Sequence, residues 1–244
     1  MKTLVLGASG STGKLLVEQL IGQGQHLKVI VRPLARIPEN WTNYENLTLI
    51  QAFIHEMSAD ELAVHLEDCN VVASCLGHHP SLRGIYGKPR KLVTDALRLV
   101  CAARIKNSSP RSLKILVMNT AGNSNRDLRE SLSLAQRVVV AMIRILLPPH
   151  RDNEAASDFL RLEIGQVHPF IQWAIVRPDT LMDENSVSNY TTHRSPTRSA
   201  IFNPGKTSRV NVAHFMASLI QNQSLWEKWK GQMPVIYNRI DPTA

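Results

Sequence analysis

Aromatic residues make up only 5% of the 244 residues, and there are three cysteines. Cys69, Cys75 and Cys101 show neither a CxxC spacing nor a partnering histidine pattern. That argues against a structural metal site and against a disulfide framework. All three read as small buried apolar side chains, with only Cys75 close to predicted chemistry. No apolar run approaches the roughly 20 residues needed to cross a bilayer, so no membrane partner is expected. The most apolar stretch, Val138 to Leu147, follows Arg137 and is interrupted by Arg144. It is either a buried helix or an oligomer contact, and the second option implies a homodimer. The chain opens on a core strand without the basic and apolar regions of a signal peptide, so a cytoplasmic location is expected. The formal net charge of +8 is spread over many segments, among them Arg32, Arg36, Arg83, Lys88, Arg104 and Lys114. Without a basic stripe or interleaved aromatics, no specific nucleic-acid partner is expected. The plainer consequence is a positive field that draws in small anions.

What is present is concentrated at the N-terminus. Lys2 to Leu6 is a β-branched and aliphatic run, followed by Gly7-Ala8-Ser9-Gly10-Ser11-Thr12-Gly13 and then by helical spacing from Lys14 to Leu20. Strand, glycine turn and helix in this order predict a dinucleotide site. Gly7 permits the tight turn, Gly10 lets backbone amides approach a pyrophosphate, and Gly13 lets the helix lie close to the strand. The anion then rests on the positive end of the helix.

The same rhythm continues along the chain. Strands are expected at Leu27–Arg32, Leu47–Ala52, Asn70–Cys75, Leu113–Met118 and Phe170–Arg177, the last closed by Pro178. Helices are expected at Ser58–Leu66, where Ser58 and Glu61 form a capping box, at Lys91–Arg104, around Ser131–Leu147, and from Asp152 to about Ile164. Asp152 is expected to cap the start of that last helix or to form a salt bridge there. Such alternation predicts an α/β fold, a Rossmann-type doubly wound parallel sheet forming one domain over residues 1–244. Residues 179–208, punctuated by Gly and Pro and rich in Ser, Thr and Asn, are expected to form a small irregular excursion over the substrate side, with a short hairpin.

The tip of the second strand selects the coenzyme. A carboxylate there would accept the ribose hydroxyls of NAD, whereas cations grip the 2′-phosphate of NADP. Arg32 stands at that tip with Arg36 four residues on, and no acidic residue precedes Glu39. An arginine fork engages a phosphate bidentately, so NADPH is the expected coenzyme.

Taken together, Gly7 to Gly13, Val31-Arg32-Pro33 with Arg36, Leu76-Gly77, Ile175-Val176-Arg177-Pro178 and Thr207 to Ala213 resemble the atypical short-chain dehydrogenases/reductases. The likeness is to the NAD(P)H-binding group that includes flavin reductase/biliverdin-IXβ reductase and NmrA-like proteins, and it extends over nearly the whole chain. The resemblance implies a Rossmann fold that binds NADPH, with Gly7, Ser9, Gly10, Ser11, Thr12, Gly13, Arg32, Arg36, Leu76 and Gly77 lining the coenzyme. It also implies an oxidoreductase reducing a small flavin-, quinone- or carbonyl-containing acceptor, or an NmrA-like redox sensor that binds without turnover. The sequence departs from relatives in two places. Ala52-Phe53 replaces an acidic residue after the third strand, so adenine would meet apolar packing or a backbone hydrogen bond. The Tyr-x-x-x-Lys pair is missing, since Tyr86 and Arg90 precede the fifth strand, and this excludes chemistry built on a tyrosinate relay.

Hydride transfer asks for orientation of the nicotinamide and a polar group at the acceptor. Thr120, after the fifth strand, is the first candidate donor, although Asn119-Thr120-Ala121-Gly122 also has turn composition. His150 is the second, with the chemistry of a proton donor near neutral pH; Asn153 stands at the family's position instead. His78 and His79 follow Gly77 and point apart, a poor metal clamp, so both read as loop residues that touch a substrate. Trp226 and Trp229, three apart, read as packing residues.

Overall fold

The computed structural model describes residues 1–107, 109–128, 130 and 133–239. The first half alternates as the periodicity predicts: β1 (Lys2–Leu6), α1 (Ser11–Gly22), β2 (His26–Val31), α2 (Glu39–Thr42), β3 (Leu47–Gln51), α3 (Ala59–Leu66) and β4 (Val71–Ser74). Next come α4 (Leu82–Tyr86), α5 (Leu92–Lys106), β5 (Leu113–Met118), α6 (Leu134–Leu146) and α7 (Pro148–Asp158). The last of these passes into a wider π-helical turn, Phe159–Ile164. The remainder is β6 (Ile171–Pro178), β7 (Thr180–Met182), β8 (Tyr190–His193), β9 (Lys206–Ser208), α8 (Arg209–Gln221), α9 (Gln223–Trp229) and β10 (Val235–Asn238).

The main sheet has the strand order β3-β2-β1-β4-β5-β6-β10-β8. Every neighbouring pair is parallel except β10 with β8. The order reverses between β1 and β4, which opens a crevice at the carboxyl ends of those strands. Strand residues alternate between two cores because successive side chains leave opposite faces. Val5, Ala73, Leu116, Ala174 and Val176 face α1, α8 and α9, whereas Leu4, Leu6, Val72, Ile115, Val117 and Ile175 face α3, α5 and α7. Burial on both faces explains why these strands are nearly continuous apolar runs. Trp226 and Trp229 are buried in the first core, as their spacing predicts.

Local chemistry fixes several boundaries. The Ser58 hydroxyl accepts the Glu61 amide at 3.2 Å, and the Glu61 carboxylate accepts the Ser58 amide at 2.7 Å, completing the capping box. Ser208 caps α8 by accepting the Asn211 amide at 3.2 Å. The helix expected around Ser131–Leu147 is seen from Leu134, and its expected first two residues, 131 and 132, lie outside the described residues. The helix expected from Asp152 starts four residues earlier, at Pro148, because Pro148 and Pro149 occupy the first turn, where no amide partner is needed.

Asp152 is therefore not the cap of its own helix. It lies inside α7, and its carboxylate accepts the amides of Val93 at 2.8 Å and Thr94 at 3.0 Å, capping α5 from a distance in sequence. Lys91, the residue before α5, offers no side-chain cap, and the buried carboxylate fills that role.

Residues 179–208 are more ordered than expected. β7 pairs with β9 in parallel, not as a hairpin, and β8 joins the edge of the main sheet against β10. β10 has no counterpart among the strands expected from the sequence. It is a four-residue segment after Pro234, held by amide bonds from Ile175 to Gln232 O at 3.0 Å and from Arg177 to Pro234 O at 2.8 Å. The Arg177 side chain is fully buried and donates to the carbonyls of Met233 and Asn123 at 2.7 Å and to Glu130 at 2.6 Å. A buried guanidinium is tolerated only with such complete pairing.

Candidate functional site

The turn between β1 and α1 is shaped by two steric demands and one opening. Gly7 has φ +71°, and a Cβ there would stand 2.7 Å from the Cys75 carbonyl, so the turn lies directly on the end of β4. A Cβ on Gly13 would stand 2.2 Å from the Gly7 oxygen, which binds α1 tightly to the turn. Gly10 differs: it is exposed, and the nearest obstacle to a Cβ there is the Gly7 oxygen at 3.2 Å. It is the N-cap residue of α1, and no side chain caps that helix or places a carboxylate in its first turn. The α1 amides and the positive end of the helix dipole are thus left facing the crevice, the arrangement that receives an anion.

A cleft of about 640 Å³ runs along the carboxyl ends of the strands. It brings together Gly7, Ser9, Gly10, Ser11, Thr12, Arg32, Leu76 and Gly77 of the expected coenzyme residues. Gly13 is buried behind the turn and acts by packing. Arg36 is not on the cleft wall. The Ala35 amide donates to Arg32 O at 3.0 Å and Leu34 takes φ 64°, so the chain reverses after Arg32 and carries Arg36 off to solvent.

Several lining residues escaped the sequence reading. Ile54 and His55 extend the β3 tip beyond Ala52-Phe53, and the Phe53 and His55 rings lie 5.6 Å apart. Arg83, Lys88 and Pro89 come from the loop around α4, Met118 from β5, Leu181 from β7 and Arg209 from α8. Sequence periodicity has nothing to say about a loop that folds over a crevice; the one signal was the cluster of cations at Arg83, Lys88, Arg90 and Lys91. Among the described residues no carboxylate lines the cleft, while Arg32, Arg83 and Lys88 line it without an ion-pair partner. Arg209 is engaged by Asp183 at 2.8 Å. Cys75 also lines the cleft, but burial pushes its thiol up to about 12, so it stays protonated and unreactive.

His78 is a built-in part of the wall rather than a free loop residue. Its Nε2 meets the Asp152 carboxylate at 2.9 Å and its Nδ1 meets the Gly84 carbonyl at 3.3 Å. Burial by itself raises the Asp152 carboxyl, but His78, Thr94 and the amides of Val93 and Thr94 outweigh it and hold the group below its ordinary value. The ring therefore joins the α4 loop to α7 across the mouth of the cleft. His79 lines the cleft and is exposed.

The residues expected to act on the acceptor lie together but off this wall. Thr120 Oγ1 accepts the Gly122 amide at 3.2 Å, and both Thr120 and the His150 ring flank Gly122. Asn119 turns inward, donating to Asn153 O and Ser157 Oγ at 2.9 Å, which locks the end of β5 to α7. His150 Nε2 is buried 3.5 Å from Glu154 Oε1, without hydrogen-bond geometry. Burial raises the Glu154 carboxyl, yet His150 and the Arg144 guanidinium at 2.5 Å overcome this and hold it at about 2. Asn211 is buried and joins the Ser188 amide to the Asn238 side chain, so the start of α8 is locked to the excursion.

The uncapped helix, the glycine turn and the strand reversal all belong to one kind of crevice, and residues 7–223 match the NAD(P)H-binding family. The chain belongs to that family. No curated protein matches it by sequence. Among solved structures, this NAD(P)H-binding protein is similar to a short-chain dehydrogenase/reductase of Veillonella parvula in complex with NADP, at 16% identity and a TM-score of 0.69, covering 99% of this chain and 95% of that one. It is similar to the anaerobillin reductase ChuY of Escherichia coli O157:H7, at 16% identity and a TM-score of 0.67, covering 100% of both chains. It is also similar to the oxidoreductase ylbE of Lactococcus lactis, at 14% identity and a TM-score of 0.69, covering 98% of this chain and 91% of that one. At such identities the likeness establishes the fold, a Rossmann-like parallel sheet flanked by helices. Among the described residues no helix is long and apolar enough to cross a membrane.

Proposed function

We propose that this protein is an NADPH-dependent reductase of a small flavin-, quinone- or carbonyl-containing acceptor. The observation that carries the reading is the pairing of an uncapped α1 N-terminus with Arg32 at the β2 tip, on a cleft lined by no carboxylate among the described residues. The pyrophosphate fits the turn, where a side chain at Gly10 would intrude, and the 2′-phosphate fits the Arg32 guanidinium. Phe53 and His55 offer adenine an aromatic surface in place of the usual acidic residue. When bound, NADPH supplies the hydride. The chain's own contribution is to orient the two ends of the coenzyme and to hold the acceptor between Met118, Leu181 and the α4 loop.

One observation favours a second reading, a sensor that binds NADP(H) without turnover, as in NmrA-like proteins. Thr120 and His150, the expected proton donors, are not part of the cleft wall. Calorimetry with NADPH and NADH, for the wild type and Arg32→Ala, tests the coenzyme assignment. The wild type binds NADPH more tightly, and the variant loses roughly 5- to 30-fold for NADPH alone, as for one exposed charge-assisted contact. Equal loss for both coenzymes refutes the 2′-phosphate role. Turnover with flavins, quinones and aldehydes then separates the readings: none with any acceptor selects the sensor, and turnover unchanged in Thr120→Val removes Thr120 from the chemistry.

A further inference from the structure

An unpartnered apolar surface lies on α6, which contributes no residue to the cleft wall. Gln136 and Val140 are its buried side, and Arg144 ties it to α7 through Glu154. The opposite side is apolar and open: Leu134 is 78% exposed, Val138 59%, Met142 50%, Ile145 81% and Leu146 62%. Spacings of four, four and three residues place Leu134, Val138, Met142 and Ile145 in one stripe along the helix. The stripe carries no charge. Surfaces of this kind are covered in functional proteins, because a monomer rarely leaves so contiguous an apolar patch in water.

We infer that α6 is the contact face of a homodimer, packing against α6 of a second copy about a two-fold axis near Val138 and Met142. Three features select a second copy as the occupant. An isologous interface needs a self-complementary patch, and an uncharged apolar stripe is complementary to itself. The stripe and the adjoining Leu146 present five large aliphatic side chains, each at least half exposed, which is the apolar centre that such an interface needs. A bilayer surface is the poorer match. Interfacial helices carry a free polar face rich in Lys and Arg opposite the apolar one. The side of α6 opposite the stripe is packed on the fold through Gln136 and Val140, Arg144 is bound by Glu154, and Arg137 is the one other cation of the helix.

The test is the solution mass of the full chain by sedimentation velocity at micromolar concentration, with Val138→Glu/Ile145→Glu as the disrupted form. The wild type is expected at twice the 27.3 kDa chain mass, and the variant at the chain mass with its coenzyme affinity unchanged. A monomeric wild type, or a dimer that survives both glutamates, overturns the inference. So does binding of the wild type to phosphatidylcholine–phosphatidylserine vesicles that the variant loses. Should the glutamates prevent folding, Met142→Cys decides instead. Mild oxidation gives a covalent dimer if the axis lies at α6, with Val64→Cys, exposed on α3, as the control that stays monomeric; failure of Met142→Cys to cross-link refutes the proposed packing.

Discussion

Adding a single methyl group to two glycines of the same turn should separate folding from coenzyme binding. In Gly13→Ala the new Cβ falls 2.2 Å from the Gly7 oxygen, 2.9 Å from its carbon and 3.1 Å from Ala8 Cα, all of them backbone atoms. Carbon and oxygen rest at about 3.3 Å or more, so α1 must withdraw from the turn by around 1 Å, and a close-packed interior resists such a shift. Overpacking costs about 1–3 kcal/mol, and the upper end applies because Gly7 is pinned against Cys75 on its other side. At ~2–4 °C per kcal/mol for a chain of this size, Gly13→Ala should melt roughly 6–12 °C below the wild type. In Gly10→Ala the methyl meets only the Gly7 oxygen at 3.2 Å, and the backbone at φ −76°, ψ 162° accepts alanine. Stability should change by less than about 1 kcal/mol, since the lost cap preference and the stiffer unfolded chain offset each other. The same methyl stands where the phosphates approach the amides, and coenzyme affinity should fall at least tenfold, about 1.4 kcal/mol. Thermal melts paired with calorimetry check both. Gly13→Ala melting like the wild type would refute the packing argument, and wild-type affinity in Gly10→Ala would remove the turn from the phosphate site.

Other outcomes follow from the charges. The Glu154 carboxyl is held at about 2 when folded against ~4.3 in an unfolded chain, so its contribution is complete above about pH 4.3 and is lost as pH falls toward 2. Glu154→Gln should therefore cost on the order of 2 kcal/mol at pH 7 in urea unfolding, with the difference from the wild type shrinking below pH 4; a difference constant from pH 7 to pH 3 contradicts the assignment. On the proposed placement of the pyrophosphate at α1 and the 2′-phosphate at Arg32, the cations Arg83 and Lys88 of the cleft wall are left for an anionic acceptor. Arg83→Ala/Lys88→Ala should lower kcat/KM about tenfold more for flavin mononucleotide than for uncharged riboflavin, leaving NADPH affinity in place. If NADPH affinity drops instead, these cations serve the coenzyme.

The alternation of strands and helices was legible because β1, β2, β4, β5 and β6 are buried on both faces and α1, α3 and α5 on one, and burial of that kind writes itself into residue type. The β5 bounds, Leu113–Met118, and the capping box at Ser58 follow directly from sequence. The glycine turn was equally plain, since the positive φ of Gly7 and the contact of Gly13 with the Gly7 carbonyl are local demands. The sequence by itself thus determined the six parallel strands from β1 to β6, the glycine turn and the cation at the β2 tip. Only the tertiary structure decided what depends on distant segments meeting. Asp152 caps α5 and holds His78 across 59 and 74 residues of sequence, a partnership no local pattern encodes. β10 is too short to show a period and exists because β6 and β8 offer it amide and carbonyl partners. Arg36, close to Arg32 in sequence, is separated from it by a single turn. The apolar stretch of α6 left core and interface equally open, and exposure settles which side of the helix has no neighbour, because burial is a property of the assembled layers and not of the segment.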